Sequence, residues 1–70
     1  NKMTYSYNKL WKLLIDNNMK KKDLMEKANL TSTTIAKMGK SEPVSLEALA
    51  RICVAMNCNI GDIVDILIDA

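Results

Sequence analysis

Seventy residues, 49% of them apolar and 26% charged, allow one domain over residues 1–70 and are too hydrophobic for disorder. So short a chain buries only about 60% of its unfolded surface, so a monomer is expected to be marginally stable. No apolar run approaches the roughly 18 residues that cross a membrane, and the amino end lacks a signal-peptide core, so the expected location is cytoplasmic.

The net charge of +2 is unevenly spread. Residues 1–40 hold nine lysines against Asp16, Asp23 and Glu26, whereas residues 41–70 hold Arg51 against Glu42, Glu47, Asp62, Asp65 and Asp69. A basic half of this kind suits a polyanion. Cys53 and Cys58, five apart along or just past a helix, look poorly placed to pair, and no histidine completes a zinc site. They read as reduced structural thiols, with no metal and no cofactor implied.

In chain order, Met3 to Tyr7 alternates polar and larger residues, as a short strand or an ordered arm would. Asn8 opens a helix in which Tyr7, Leu10, Trp11 and Leu14 recur at i, i+3, i+4 and i+7, with Leu13 and Ile15 widening the stripe. Trp11 reads as core filler, and Asn17-Asn18 ends the helix. A second helix is expected from about Lys21 to Ala28, packing through Leu24 and Ala28. Asn29 makes the turn, Leu30 plugs the joint and Thr31 caps a third helix over Ser32 to Met38. Gly39 is expected to end it, and its missing side chain would leave room for close approach. Ser45 caps a fourth helix with the stripe Leu46, Leu49, Ala50, Cys53 and Met56. Ile60, Ile63, Val64 and Leu67 then suggest a fifth. The expected fold is therefore all-α, five helices with a strand or arm before them.

Within Lys21–Met38, Leu24, Ala28, Leu30, Ile35 and Met38 fall where two steeply crossing helices bury side chains, while Ser32, Thr33 and Lys37 stay outside. This is the pattern of a helix-turn-helix whose second helix enters the DNA major groove. Lys20, Lys21 and Lys22 stand at the positive end of a helix dipole, where each exposed cation costs roughly 0.3–1 kcal/mol. A phosphate at that helix end would reverse the penalty.

The segments YNKLWKLL (Tyr7–Leu14), KKDLMEKANLTSTTIAKMGK (Lys21–Lys40) and LEALARICVAMNCNIGDIVDI (Leu46–Ile66) resemble the phage-repressor (Cro-like, XRE-type) family, in its short stand-alone form. The resemblance runs from about Tyr5 to Leu67. It implies that Ser32, Thr33 and Lys37 read base edges, and that Thr31 and Lys40 contact phosphates. Lys21 takes the place of a frequent Gln that contacts the backbone. Three residues depart from the family pattern: Asn29 for a turn glycine, Met25 for alanine and Lys20 for a capping Ser or Thr. The expected function is sequence-specific binding of double-stranded DNA by a transcriptional regulator. Lys20, Lys21, Lys22, Thr31 and Lys40 would sit on phosphates, and a homodimer would form through Ile63, Ile66, Leu67 and Ile68. The competing reading is a protein-interaction helix-turn-helix module, an antitoxin or adaptor with little DNA binding. An enzyme is disfavoured, because no histidine, phosphate-cradling loop or nucleophile–base pair is present. No small-molecule ligand is implied.

Overall fold

The computed structural model describes residues 2–69. The order is β1 (Lys2–Ser6), α1 (Asn8–Asp16), α2 (Lys21–Lys27), α3 (Ser32–Gly39), α4 (Leu46–Met56), one 3-10 turn (Ile60–Asp62) and β2 (Asp65–Asp69). Asn1 and Ala70, the ends of the expected domain, lie outside the described residues.

Four helices and a two-stranded antiparallel sheet replace the expected five helices. The segment expected as a fifth helix divides in two. Asn59 Oδ1 accepts from Ile60 N–H and opens a single tight turn. The β-branched residues that follow favour extended backbone. Pairing then satisfies the facing backbone groups of the two strands, in the register Lys2↔Asp69, Met3↔Ile68, Thr4↔Leu67, Tyr5↔Ile66 and Ser6↔Asp65. The amino-terminal segment is a strand because it has this partner.

The helix ends share one device. Asn18, Asn29, Ser41 and Asn57 take positive φ, between 53° and 59°, and no glycine does. The N–H of the next residue returns to a carbonyl five residues earlier: Met19 to Leu14, Leu30 to Met25, Glu42 to Lys37 and Cys58 to Cys53. This is the Schellman pattern, which satisfies helix-end carbonyls and brings the first and last side chains together. It places Cys53 and Cys58 beside one another as free thiols, where sequence spacing alone set them apart. Burial and the neighbouring Cys53 push the Cys58 thiol up, which disfavours its thiolate form. It also moves the end of α3: Gly39 lies inside the helix, and the left-handed residue is Ser41.

Tyr7 just before α1, Leu10 and Leu14 from α1, Leu24 from α2 and Ala28 just after it, Met38 from α3, and Leu49 and Ile52 from α4 meet in one core with Ile63. Ile63 is fully buried, so it is core and not the surface residue that an interface requires. Leu46 is 70% exposed, and the inward stripe of α4 runs instead through Ala48, Leu49 and Ile52. Tyr7 ties the front of α1 to the loop after α3, its hydroxyl donating to the Glu42 carbonyl at 2.7 Å.

Candidate nucleic-acid interface

Leu24, Ala28 and Met38 are buried at the joint of α2 and α3, with Leu30 and Ile35 packed against them. That packing fixes which face of α3 turns outward. Ser32, Thr33, Ala36 and Lys37 are all exposed along it. Thr31 caps the helix, its Oγ1 accepting from Thr34 N–H at 3.2 Å. Residues three and four apart neighbour one another on a helix, so Ser32, Ala36 and Lys40 form one row and Thr33 and Lys37 the next. Ala36 was not singled out from the sequence. Its spacing four after Ser32 carries that signal, since a small residue there keeps the row low.

Lys20, Lys21, Lys22 and Lys40 are exposed around this helix. Among the described residues the ion pairs lie elsewhere: Lys9 with Asp65 at 3.2 Å and Arg51 with Glu47 at 2.9 Å. The lysines of the α2–α3 unit thus keep their charge uncompensated by a carboxylate contact. The start of α2 is less unfavourable than its three lysines suggest. Lys20 has no acceptor, but Asp23 Oδ2 reaches back to accept Lys20 N–H at 2.8 Å, half of a capping box.

Lys21 differs from its neighbours. Its Nζ lies 4.4 Å from the centroid of the Trp11 ring, within cation–π range. The same nitrogen lies 4.0 Å from where a Cβ on Gly39 would stand. The ammonium therefore sits where α1, the start of α2 and the end of α3 converge, and the carboxyl end of α3 favours a cation. Trp11 is half-buried and is more than core filler, because its face holds a lysine.

Among the described residues no group of His, Cys, Asp and Glu is arranged to hold a metal ion. No helix there is long and apolar enough to cross a membrane.

A family model for the Cro/C1-type HTH DNA-binding domain matches residues 9–67. The chain is also similar to the crystal structure of the transcriptional regulator VanUg, Form II. The two share 51% identity and a TM-score of 0.92, over 99% of this chain and 92% of that one. No curated protein matches the chain.

Proposed function

The chain belongs to the Cro/C1-type helix-turn-helix DNA-binding domain family, and from that premise we propose that it is a sequence-specific transcriptional regulator with α3 in the major groove. The observation that carries this reading is the outer face of α3: exposed, built of short side chains and Lys37, and ringed by lysines that have no carboxylate partner among the described residues. Lys20, Lys22 and Lys40 take phosphates as point charges, with Lys21 held alongside by Trp11 and Thr31 at the amino end of α3. These contacts set register and carry no direct sequence information.

Base reading falls to Ser32, Thr33 and Lys37. The Lys37 ammonium donates to guanine O6 and N7, and the Thr33 methyl meets a thymine methyl. Each good contact is worth roughly 1–3 kcal/mol of discrimination. Two short hydroxyl residues among three readers leave a single domain with limited specificity. A two-fold dimer on repeated half-sites, with recognition helices about 34–36 Å apart, supplies the rest. Ile66 and Ile68, 51% and 73% exposed, favour such self-association.

Enrichment of binding sites from random duplex DNA is the test. A short, two-fold repeated consensus is the expected product. A pool with no consensus after repeated rounds would reject sequence-specific recognition and leave an interaction module as the better reading.

A further inference from the structure

The β1–β2 sheet has two strands and therefore two outer edges. Among the described residues, no backbone hydrogen bond from another element reaches either edge. Met3 on β1 is 56% exposed, and Ile66, Leu67 and Ile68 on β2 are each more than half exposed. An open edge flanked by apolar side chains is a template for another strand.

We propose that the second copy of the chain docks on β1 and not on β2, making a four-stranded antiparallel sheet in the order β2–β1–β1–β2 with its two-fold axis at Thr4. This rests on the regulator reading only in making the dimer useful on DNA.

Charge selects the edge. The β2 sequence, DILID, is acidic at both ends. Its antiparallel self-pairing about Leu67 sets position 65 of one copy against position 69 of the other, acid against acid at both ends. Like charges directly opposite destabilise a ladder. The β1 sequence is KMTYS. Self-pairing about Thr4 sets Lys2 against the partner copy's Ser6, Met3 against its Tyr5, and Thr4 against its Thr4. No like charges meet, and the threonines form a favourable cross-strand pair.

The apolar pattern agrees. Within one copy Met3 already pairs with Ile68, and Tyr5 with Ile66. Directly opposite residues share a face. Joining Met3 to the partner copy's Tyr5 therefore lines up Ile68 and Met3 with the partner's Tyr5 and Ile66 in one unbroken apolar row. The axis generates a second such row. Head-to-tail pairing of β1 with another copy's β2 leaves open edges at both ends and propagates into a fibre, whereas the two-fold arrangement closes.

Thr4→Cys and Leu67→Cys in the full chain separate the two edges. Facing residues of an antiparallel pair have Cα atoms about 4.5–5.5 Å apart, inside the span of about 4.4–6.8 Å that a disulfide bridges. With oxidised glutathione, Thr4→Cys is expected to form a dimer linked through its introduced thiols, identified by peptide mapping, and Leu67→Cys to remain unlinked. Thr4→Lys, which sets two ammonium groups across the axis, is expected to return the protein to monomer in light scattering, while Leu67→Lys stays dimeric. Selective linking through Leu67→Cys would overturn the proposal. So would a dimeric wild type that neither cysteine variant links and Thr4→Lys does not dissociate. A wild type that is monomeric both free and on DNA would overturn it too, yet leave the regulator reading standing if that monomer selects sites.

Discussion

Lys21 and Lys37 carry the same charge, but their surroundings assign them different work. Lys37→Ala is expected to relax base preference at one position, by roughly 1–3 kcal/mol of lost discrimination, with little change in salt dependence. Lys21→Ala should weaken binding to all duplexes and flatten the salt slope by about one. Binding isotherms on selected and scrambled duplexes at several salt concentrations separate the two. Equal, small effects would place the DNA on another face. Gly39 offers a different contrast. Its φ is not positive, and a Cβ would meet only Lys21 Nζ at 4.0 Å, an ordinary contact. Gly39→Ala should therefore raise stability, by up to about 1 kcal/mol. If the glycine is kept for close DNA approach, the same change weakens binding; thermal melts and isotherms on the one variant give both readings. At Tyr7, burial pushes the hydroxyl above its usual pKa of 10.0, the nearby Tyr5 adds to the rise, and a hydrogen bond with the Val44 backbone opposes it. A raised folded-state value means that this stabilisation is intact below the unfolded pKa and is lost as pH climbs through the folded one. Urea melts from pH 8 upward should show the wild type losing stability above about pH 10. Tyr7→Phe should lack that component, and at neutral pH should cost about 0.5–1.5 kcal/mol for the lost bond to the Glu42 carbonyl.

The α2–α3 unit was legible because its signals agree. Leu24, Ala28 and Met38 lie at helical spacing, Asn29 tolerates the left-handed region, and Thr31 is a strong cap. The carboxyl-terminal segment misled because Ile60, Ile63, Val64 and Leu67 match a helical period while Ile66 and Ile68 match a strand period. Only the distant partner Met3–Ser6 decides between them, and periodicity within one segment cannot see it. Ile63 followed from the same error: on a helix it joins an exposed stripe, but after a single 3-10 turn it drops into the core. The lysine–tryptophan contact was equally hidden, since Trp11 and Lys21 belong to different helices. The recurring left-handed Asn and Ser residues give an element-level prediction. Asn29→Ala puts a Cβ-bearing residue, without asparagine's local hydrogen bonding, at φ 56°. It should destabilise by about 1–2 kcal/mol. Asn29→Gly, which tolerates the same conformation, should be close to neutral in urea denaturation.

Across the whole molecule, charge is divided by role. The carboxyl half pairs its one cation, Arg51, with Glu47, and its Asp65 takes Lys9. Among the described residues, the α2–α3 unit keeps Lys20, Lys22, Lys37 and Lys40 exposed and without an ion pair. That imbalance has a measurable size: each phosphate neutralised contributes a slope of about −0.9 to the dependence of log K on log salt. The most direct measurement is fluorescence anisotropy of the wild type and of a Ser32→Ala, Thr33→Ala, Lys37→Ala triple variant on an enriched duplex and its scramble, over a salt series. A steep slope is expected for both proteins, with preference for the enriched duplex in the wild type and nearly none in the triple variant. A triple variant that keeps full preference would contradict base reading by these three residues.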